Sequence, residues 1–183
     1  MNEFTADRIR KENEYEALTY FLDAYESITG ETFVVLEVTE RPDFICKHNS
    51  GREAGIELVK VRRGHPNDIF WDRSVERREF MLPECALEMI QMVGVDKERK
   101  RNQPDWRLPE ATILLIELWD IPLAHIQLDI TPQTLPDLYS TGFAEIWLAD
   151  FTGLEAYDNV ELFCIRPEEW AGYHSRGFQK PYG

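Results

Sequence analysis

The fold of this chain is decided by the stretch RPDFICKHNSGREAGIELVKV, residues 41–61. Two apolar segments, DFICKH and AGIELVKVR, flank the polar sequence NSGRE, whose asparagine and glycine are typical of a tight turn. The isoleucine, valine and phenylalanine of the flanking segments are typical of strands. The stretch therefore predicts a β-hairpin, and each of its strands carries an acid, Asp43 and Glu57, among residues that favour burial.

The residues before the hairpin predict a helix and then a strand. Between residues 12 and 29, apolar side chains recur at helical spacing, and Gly30 provides a stop directly after them. TFVVLEVTE, residues 32–40, is rich in β-branched and aromatic residues and predicts a strand that ends before Pro42. The apolar positions of the helix are Leu18, Phe21, Leu22, Tyr25 and Ile28.

The residues after the hairpin predict a loop, a second helix and several strands. Residues 66–74 predict the loop, and Pro83 marks the first turn of the helix. ATILLIELW, residues 111–119, is nearly continuously apolar, which is typical of a strand covered on both faces. This order predicts one mixed α/β domain over residues 1–183, ending in an aromatic, glycine-rich tail. Further strands are predicted at AHIQLDI, AEIWLAD and NVELFCIRP.

The charge of the chain restricts its partners. The formal net charge is −14, whereas a protein that binds nucleic acid normally presents a basic surface to the phosphates. The cations that exist cluster between residues 60 and 102, in VRRGH, DRSVERRE and DKERKRN. This distribution leaves a local basic face, but the overall balance favours a basic partner or a tightly restricted substrate.

The same composition favours a cytoplasmic protein without a membrane partner. No apolar run approaches the length of a membrane span, and MNEFTADRIRKENE lacks the apolar core of a secretion signal. The three cysteines, Cys46, Cys85 and Cys164, are far apart and show no zinc-ligand spacing. We expect them to be buried free thiols.

Asp43 and Glu57 are the candidate functional residues. Strand alternation puts Glu57 on a face of small or apolar residues, where a carboxylate needs a metal, a cation or hydrogen bonds. Mg²⁺ takes oxygen ligands, usually one or two carboxylates with water and substrate phosphate. A structural alternative stays open, in which Glu57 pairs with Arg62, Arg63 or Lys47.

RPDF and GIELVKV together resemble the active-site hairpin of the PD-(D/E)XK nuclease superfamily, which has the restriction-endonuclease-like fold. In that pattern a Pro-Asp pair opens one strand, and an acid, any residue and a lysine lie on the next. The resemblance covers about residues 12–118 and implies an αβββαβ core, with residues 119–183 as a C-terminal strand extension and tail. It implies that Asp43 and Glu57 bind Mg²⁺ or Mn²⁺, and that the metal activates water to hydrolyse a nucleic acid, DNA ahead of RNA. By analogy alone it also implies a homodimer and a part in phage defence or DNA repair.

The lysine of this pattern is missing from its usual place. The position two residues after Glu57 is Val59, and Lys60 comes one residue late, where strand alternation points it away from the acids. A β-bulge would turn Lys60 onto the active face. Alternatively, the apolar stripe of the second helix continues to Lys97 and Lys100, either of which would supply the charge. Lysines at a helix end also stabilise its dipole without any part in a site.

The first helix predicts a third acid. Its apolar stripe, extrapolated back from Leu18 by four residues, leads to Glu14, where members of the superfamily often place a glutamate that completes the metal site. Acids in a first helical turn are also favoured by the helix dipole. The histidines His48 and His65 show no metal-ligand spacing and no nucleophile partner, and we expect them to be solvent-exposed loop residues. His125 alternates within an apolar segment, and we expect it to be a core residue.

Two classes of function follow from these observations. In the first, the protein is a Mg²⁺- or Mn²⁺-dependent nuclease with a shifted or migrated lysine. In the second, the fold is kept without catalysis, and the acidic surface binds a basic protein partner. The missing lysine and the charge of −14 favour the second, whereas the presence of both Asp43 and Glu57 favours the first.

Overall fold

A computed structural model describes residues 3–62, 80–107, 109 and 111–174 of the chain. The hairpin and its flanking elements form as the sequence predicts. The predicted loop 66–74, Arg63, His65 and the tail 175–183 lie outside the described residues. The elements are α1 Glu3–Thr29, β1 Phe33–Val38, β2 Phe44–His48, β3 Glu53–Val61, α2 Pro83–Arg101, β4 Ala111–Leu118, α3 Pro136–Tyr139, β5 Glu145–Asp150, α4 Leu154–Tyr157, β6 Glu161–Arg166 and β7 Gly172–His174.

The strands form one mixed sheet in the order β1-β2-β3-β4-β5-β6-β7. The first three strands are antiparallel neighbours, β3, β4 and β5 are parallel, and β5, β6 and β7 are again antiparallel. A parallel pair needs a crossover connection, which α2 provides between β3 and β4. The predicted α/β class is confirmed, including the additional C-terminal strands.

The two helices cover opposite faces of the sheet, because successive side chains of each strand point in opposite directions. On β3, Ile56 and Leu58 pack with the apolar stripe of α1, whereas Val59 and Val61 pack on the side of α2. The same alternation divides β4 between the two cores. The buried residues on the α1 side include Leu18, Phe21, Tyr25, Phe44, Leu115 and Trp147, and those on the α2 side include Ala86, Ile90, Leu114 and Ile116.

Helix α1 begins earlier than its apolar pattern predicts. The pattern starts at residue 12, but the helix begins at Glu3. The additional turns carry charges at a spacing of four residues, which stabilises a helix without any buried stripe. Arg8 lies 3.5 Å from Glu12, and Arg10 lies 3.0 Å from Glu14.

The predicted strand AHIQLDI is wrong. This segment instead starts with a 3₁₀ turn, Leu123–His125, followed by turns. Its buried residues Leu123, Ile126 and Ile130 are spaced by three and four residues rather than by two, which is a helical rather than a strand pattern. Asp150 accepts a hydrogen bond of 2.7 Å from the backbone N–H of Leu123 and fixes the start of the turn.

The expectation for the cysteines holds for two of the three thiols. Cys46 and Cys164 are buried and free, but Cys85 is exposed because it lies on the outer side of the first turn of α2. Among the described residues, none of the helices is long and apolar enough to cross a membrane.

Gly55 allows the start of β2 to lie close against β3. A Cβ atom at this position would lie 2.6 Å from Cγ of Pro42 and 2.9 Å from Cγ of Pro109, both closer than a normal contact. Pro42 directly precedes Asp43, so the absence of a side chain at Gly55 helps to set the position of that acid.

Substitution Gly55→Ala should therefore destabilise the hairpin. We expect the free energy of unfolding to fall by about 1–3 kcal/mol, since the added methyl group must displace two proline rings. Urea unfolding followed by circular dichroism measures the change. The control Glu53→Ala, at an exposed position of the same strand, should change stability by less than about 0.5 kcal/mol. Equal effects of the two substitutions would contradict this packing argument.

Candidate functional site

The hairpin brings Asp43 and Glu57 together. Strand β2 pairs with β3 in a register that sets Phe44 opposite Ile56, so Asp43 falls beside Glu57. The backbone N–H of Asp43 donates a hydrogen bond of 3.1 Å to Oε2 of Glu57, and the N–H of Leu58 donates one of 2.8 Å to Oδ2 of Asp43. Each carboxylate thus accepts a hydrogen bond from a backbone N–H of the segment that carries, or directly adjoins, the other acid.

Both carboxyl groups are buried. Asp43 is 6% exposed and Glu57 is 3% exposed. Burial, together with the negative charge of Asp43, raises the pKa of Glu57 to about 7 against the opposing effect of Lys97. Burial also raises the pKa of Asp43, although the N–H of Leu58 and the charge of Lys97 oppose the shift. The pair therefore carries an electrostatic cost that a bound cation would relieve.

Lys97 supplies the ammonium group that contacts these acids. Its Nζ donates a hydrogen bond to Oε1 of Glu57, and the side chain is 15% exposed. Lys97 lies two helical turns after the buried Ile90, on the face of α2 that packs against the sheet. The lysine beside the acids thus comes from helix α2 and not from strand β3.

The structure does not bring Lys60 to the two acids. The register between β3 and β4 runs without a shift from Ala54 to Val61, so no bulge rotates Lys60 within these described strands. Its ammonium lies on the α1 side of the sheet, 3.6 Å from Oε2 of Glu117 and 5.2 Å from the ring centre of Trp119. Regular alternation is the physical reason, because Lys60 and Glu57 are three residues apart.

Helix α1 contributes Glu14 and a cation that the sequence analysis missed. Glu14 borders the cleft, and its Oε2 is buried without a hydrogen-bond partner among the described residues. Lys11 lies 3.4 Å from that oxygen and 3.9 Å from Oδ1 of Asp43, and it donates a hydrogen bond of 2.7 Å to the carbonyl of Thr39. Lys11 lies two turns before Leu18, and the apolar stripe extended to that position would have indicated it.

A polar cleft of about 180 Å³ lies between the N-terminal half of α1 and the last turns of α2, and Lys11 lies beside it. The cleft is lined by Asp43, Glu57, Glu14 and Lys97. Lys100 also lines this cleft, but its ammonium pairs with Asp96 at 2.7 Å rather than with the two central acids. The cleft is small and mostly charged, which suits a phosphate group better than an apolar ligand. Its other cationic members are Arg10 and Arg41, and Trp106 forms part of its wall.

The remaining candidates lie away from the cleft. The expectations for two histidines are wrong. His48 is the last residue of β2, with its side chain mostly buried 3.1 Å from Glu31, whereas His125 is exposed and packs edge-on against Phe80. Of the cations considered for Glu57, Lys47 and Arg62 are not its partners in the described structure, in which Lys97 takes that place. Arg63 and His65 lie outside the described residues.

The donor set of the cleft fits a hard divalent cation held by two protein carboxylates. In the described part of the chain, no group of three or more His, Cys, Asp or Glu side chains is arranged to hold a metal ion. Mg²⁺ usually needs only one or two carboxylates, since water and substrate phosphate supply the other oxygens. Asp43 and Glu57 offer those oxygens, and Glu14 borders the same cleft with its Oε2 at 3.4 Å from the ammonium of Lys11.

Comparisons of the chain with protein-family models, with curated proteins and with solved structures find no match. The chemistry of the cleft must therefore be inferred from its own residues.

The raised pKa of Glu57 predicts how stability depends on pH. Its pKa lies near 7 in the folded state and near 4.5 in a solvated chain, so the folded protein binds more protons between these values. The free energy of unfolding should therefore fall as the pH rises from about 4.5 to 7. In Glu57→Gln this fall should be smaller by about 1–3 kcal/mol, as measured by urea unfolding in a chelator at pH 5 and pH 8.

The control for this experiment is Glu155→Gln, which removes an exposed acid on α4. It should leave the difference between pH 5 and pH 8 as it is in the parent protein. An unchanged difference in Glu57→Gln as well would show that Glu57 titrates like an ordinary solvated acid.

Proposed function

We propose that the protein is a divalent-metal-dependent nuclease that hydrolyses phosphodiester bonds, in DNA rather than RNA. The observation that supports this proposal is the buried pair of Asp43 and Glu57, hydrogen-bonded through the hairpin, with the ammonium of Lys97 on Glu57. Two acids and a lysine in one small polar cleft are the groups that such hydrolysis requires. The proposal also rests on the resemblance of the hairpin to the PD-(D/E)XK superfamily, with Lys97 in place of the strand lysine.

The two acids would hold the metal. Asp43 and Glu57 would bind Mg²⁺ or Mn²⁺, with Glu14 as a further acid beside them. When bound, the ion would activate water and neutralise charge on the phosphate. The hydrogen bonds from the N–H groups of Asp43 and Leu58 keep the two carboxylates in fixed orientations before any ligand arrives. Such preorganisation lowers the cost of reaching the transition state.

The cations of the cleft would bind the substrate phosphates. Lys97 lies deepest, against Glu57, and its ammonium would stabilise the negative charge that develops on the phosphate under attack. Arg41 and Lys100 lie further out and pair with the half-exposed acids Asp105 and Asp96. Exposed pairs contribute little to stability, so both cations can exchange these partners for flanking phosphates. The cations that line the cleft balance its acids, so a bound divalent ion would give the cleft a net positive charge. The four cations are Arg10, Arg41, Lys97 and Lys100, and the four acids are Glu14, Glu40, Asp43 and Glu57.

Metal binding is the first test of the proposal. Calorimetric titration at pH 8 should show Mg²⁺ and Mn²⁺ binding to the parent protein in the millimolar range or tighter. Asp43→Asn and Glu57→Gln should each weaken it at least about tenfold, since each removes one of two charged ligands. Glu155→Gln serves as the control and should bind like the parent. A parent protein that binds neither ion, with or without DNA, would rule out the proposed enzyme.

Cleavage of DNA identifies the lysine. Lys97→Met should reduce the cleavage rate by about 10²–10³-fold, as expected for loss of one charge that stabilises the transition state. At saturating DNA, Lys60→Met and Lys100→Met should keep the rate within a few-fold of the parent, because neither ammonium contacts the two acids. Lys100→Met should weaken DNA binding instead. Melting temperatures of all three variants show whether each is folded. Equal rates for Lys97→Met and the parent would remove Lys97 from the proposed site.

A second function is favoured by two different observations. The ammonium groups of Lys11 and Lys97 already compensate the acids of the cleft, and the chain carries a net charge of −14. Both suit a catalytically inactive protein of the same fold that binds a basic partner through its acidic surface. Binding of a basic protein partner that persists in Asp43→Ala, in a protein without metal affinity or cleavage activity, would favour this function.

A further inference from the structure

A second cavity, of about 400 Å³, lies on the α1 side of the sheet. We call it the strand-end cavity and define it by Lys60, Arg62, Trp119, Phe151, Asn13 and Glu16, which line it together with their neighbours. Lys60 and Glu57 point to opposite faces of β3, so this cavity is separate from the cleft with the two acids. The nuclease proposed above does not use it.

The cavity lies at the carboxyl ends of the parallel strands. The parallel strands β3, β4 and β5 end at Val61, Leu118 and Asp150. The lining residues come from these carboxyl ends, where Arg62, Trp119 and Phe151 each directly follow one of the three strands. Ligands of open α/β sheets bind outside the carboxyl ends of the strands at a topological switch point, whereas both crossovers of this sheet lie on the α2 side. The lining residues themselves, rather than the topology, therefore indicate a ligand.

One wall of the cavity is a flat aromatic surface. The ring of Trp119 stacks on that of Phe151, with ring centres 4.9 Å apart and planes at 16°. Phe151 is buried, whereas Trp119 is 37% exposed. The ammonium of Lys60 lies over the Trp119 ring, and its flexible stem allows it to move aside when a planar group stacks there. An aromatic side chain of this kind binds any nucleobase by its π-face.

The polar groups of the cavity have both signs. Lys60 and Arg62 stand at the end of β3 and can bind a phosphate. Glu16 and Asn13, on α1, lie across the cavity and can accept hydrogen bonds from an amino group. Asp120 also lines the cavity, so the two cations stand against two acids, Glu16 and Asp120. Two cations for a phosphate, acceptors for an amino group and an aromatic ring match the parts of a nucleotide.

Glu117 provides an independent indication of function beneath the cavity. Its side chain is fully buried, and its Oε1 has no hydrogen-bond partner among the described residues. Its Oε2 accepts a hydrogen bond of 2.9 Å from the indole N–H of Trp119 and lies 3.6 Å from the ammonium of Lys60. A buried acid with an unpaired oxygen costs stability. Its hydrogen bond holds the indole ring of Trp119 in place, and its longer contact with Lys60 allows that ammonium to move to a bound phosphate.

We propose that the strand-end cavity binds a nucleotide whose base carries an amino group. The base stacks on Trp119, its amino group donates to Glu16 or Asn13, and its phosphate binds Lys60 and Arg62. The volume of about 400 Å³ is large enough for one nucleotide and too small for a duplex. The nucleotide comes either from solution or from a single strand, since both present the same three groups.

Calorimetric titration with dAMP and dTMP tests the proposal. The protein should bind dAMP in the submillimolar range and dTMP about tenfold more weakly, because thymine has no amino group to donate to Glu16 or Asn13. Trp119→Leu and Arg62→Ala should each weaken dAMP binding at least about tenfold. Trp119→Phe should keep most of the affinity, because it retains a ring. No binding of dAMP at millimolar concentration would overturn the proposal.

The controls separate this site from general effects of charge and from the cleft of the two acids. Arg52→Ala removes an exposed arginine at the opposite end of the sheet and should leave the affinity for dAMP unchanged. Equal losses in Arg52→Ala and Arg62→Ala would overturn the proposal. The double substitution Asp43→Asn, Glu57→Gln in a chelator should keep dAMP binding. The nucleotide proposal can therefore be tested even if the proposed nuclease activity is not found.

A hexanucleotide of deoxyadenosine distinguishes the two sources of the nucleotide. If the site takes a nucleotide from a strand, the hexanucleotide should bind at least as tightly as dAMP and lose affinity in Arg62→Ala. If the site takes a free nucleotide, dAMP should bind and the hexanucleotide should not displace it. Either result supports the proposal, whereas a protein that binds neither molecule would contradict it.

Discussion

The antiparallel register of β2 against β3 is the constraint on which the rest of the structure depends. It sets Phe44 opposite Ile56, and the N–H of Asp43 thereby reaches the carboxylate of Glu57. The absence of a side chain at Gly55 lets Pro42 lie against the strand in this register. A shift by one residue would move Glu57 to the face of α1 and separate the acids. The site therefore follows from a backbone pairing.

Two neighbouring buried carboxylates need cationic partners, which the surrounding helices supply. The charges of Asp43 and Glu57 lose most of their contact with water and also repel each other. A buried charge is tolerated only with partners, and the two helices supply them from both sides of the sheet. Lys97 comes from the end of α2 and Lys11 from the beginning of α1. A divalent cation would compensate the same two charges. The cleft is therefore compatible with a metal-dependent nuclease and also with an inactive protein whose acids are paired with lysines.

A single strand supplies residues to two separate cavities because its side chains alternate. Glu57 points to the cleft of the two acids, whereas Lys60 points to the strand-end cavity on the α1 side. Lys60, which comes one residue after the lysine position of the nuclease pattern, is therefore placed to bind the phosphate of the proposed nucleotide. It joins Glu117 and Trp119 at the ends of the parallel strands.

The sequence by itself determined the elements whose signals are local. The turn in NSGRE, the helical stripe of α1 and the apolar run of β4 specify the hairpin, the two acids and the α/β class. It failed at AHIQLDI, because Ile126, Leu128 and Ile130 alternate as in a strand, although Leu128 is exposed and the segment forms turns. Only the tertiary structure decided which cation meets Glu57, because Lys97 lies 40 residues away along the chain. Lys11 and the pair of Lys60 and Glu117 likewise depend on packing of distant elements, which a local pattern does not encode.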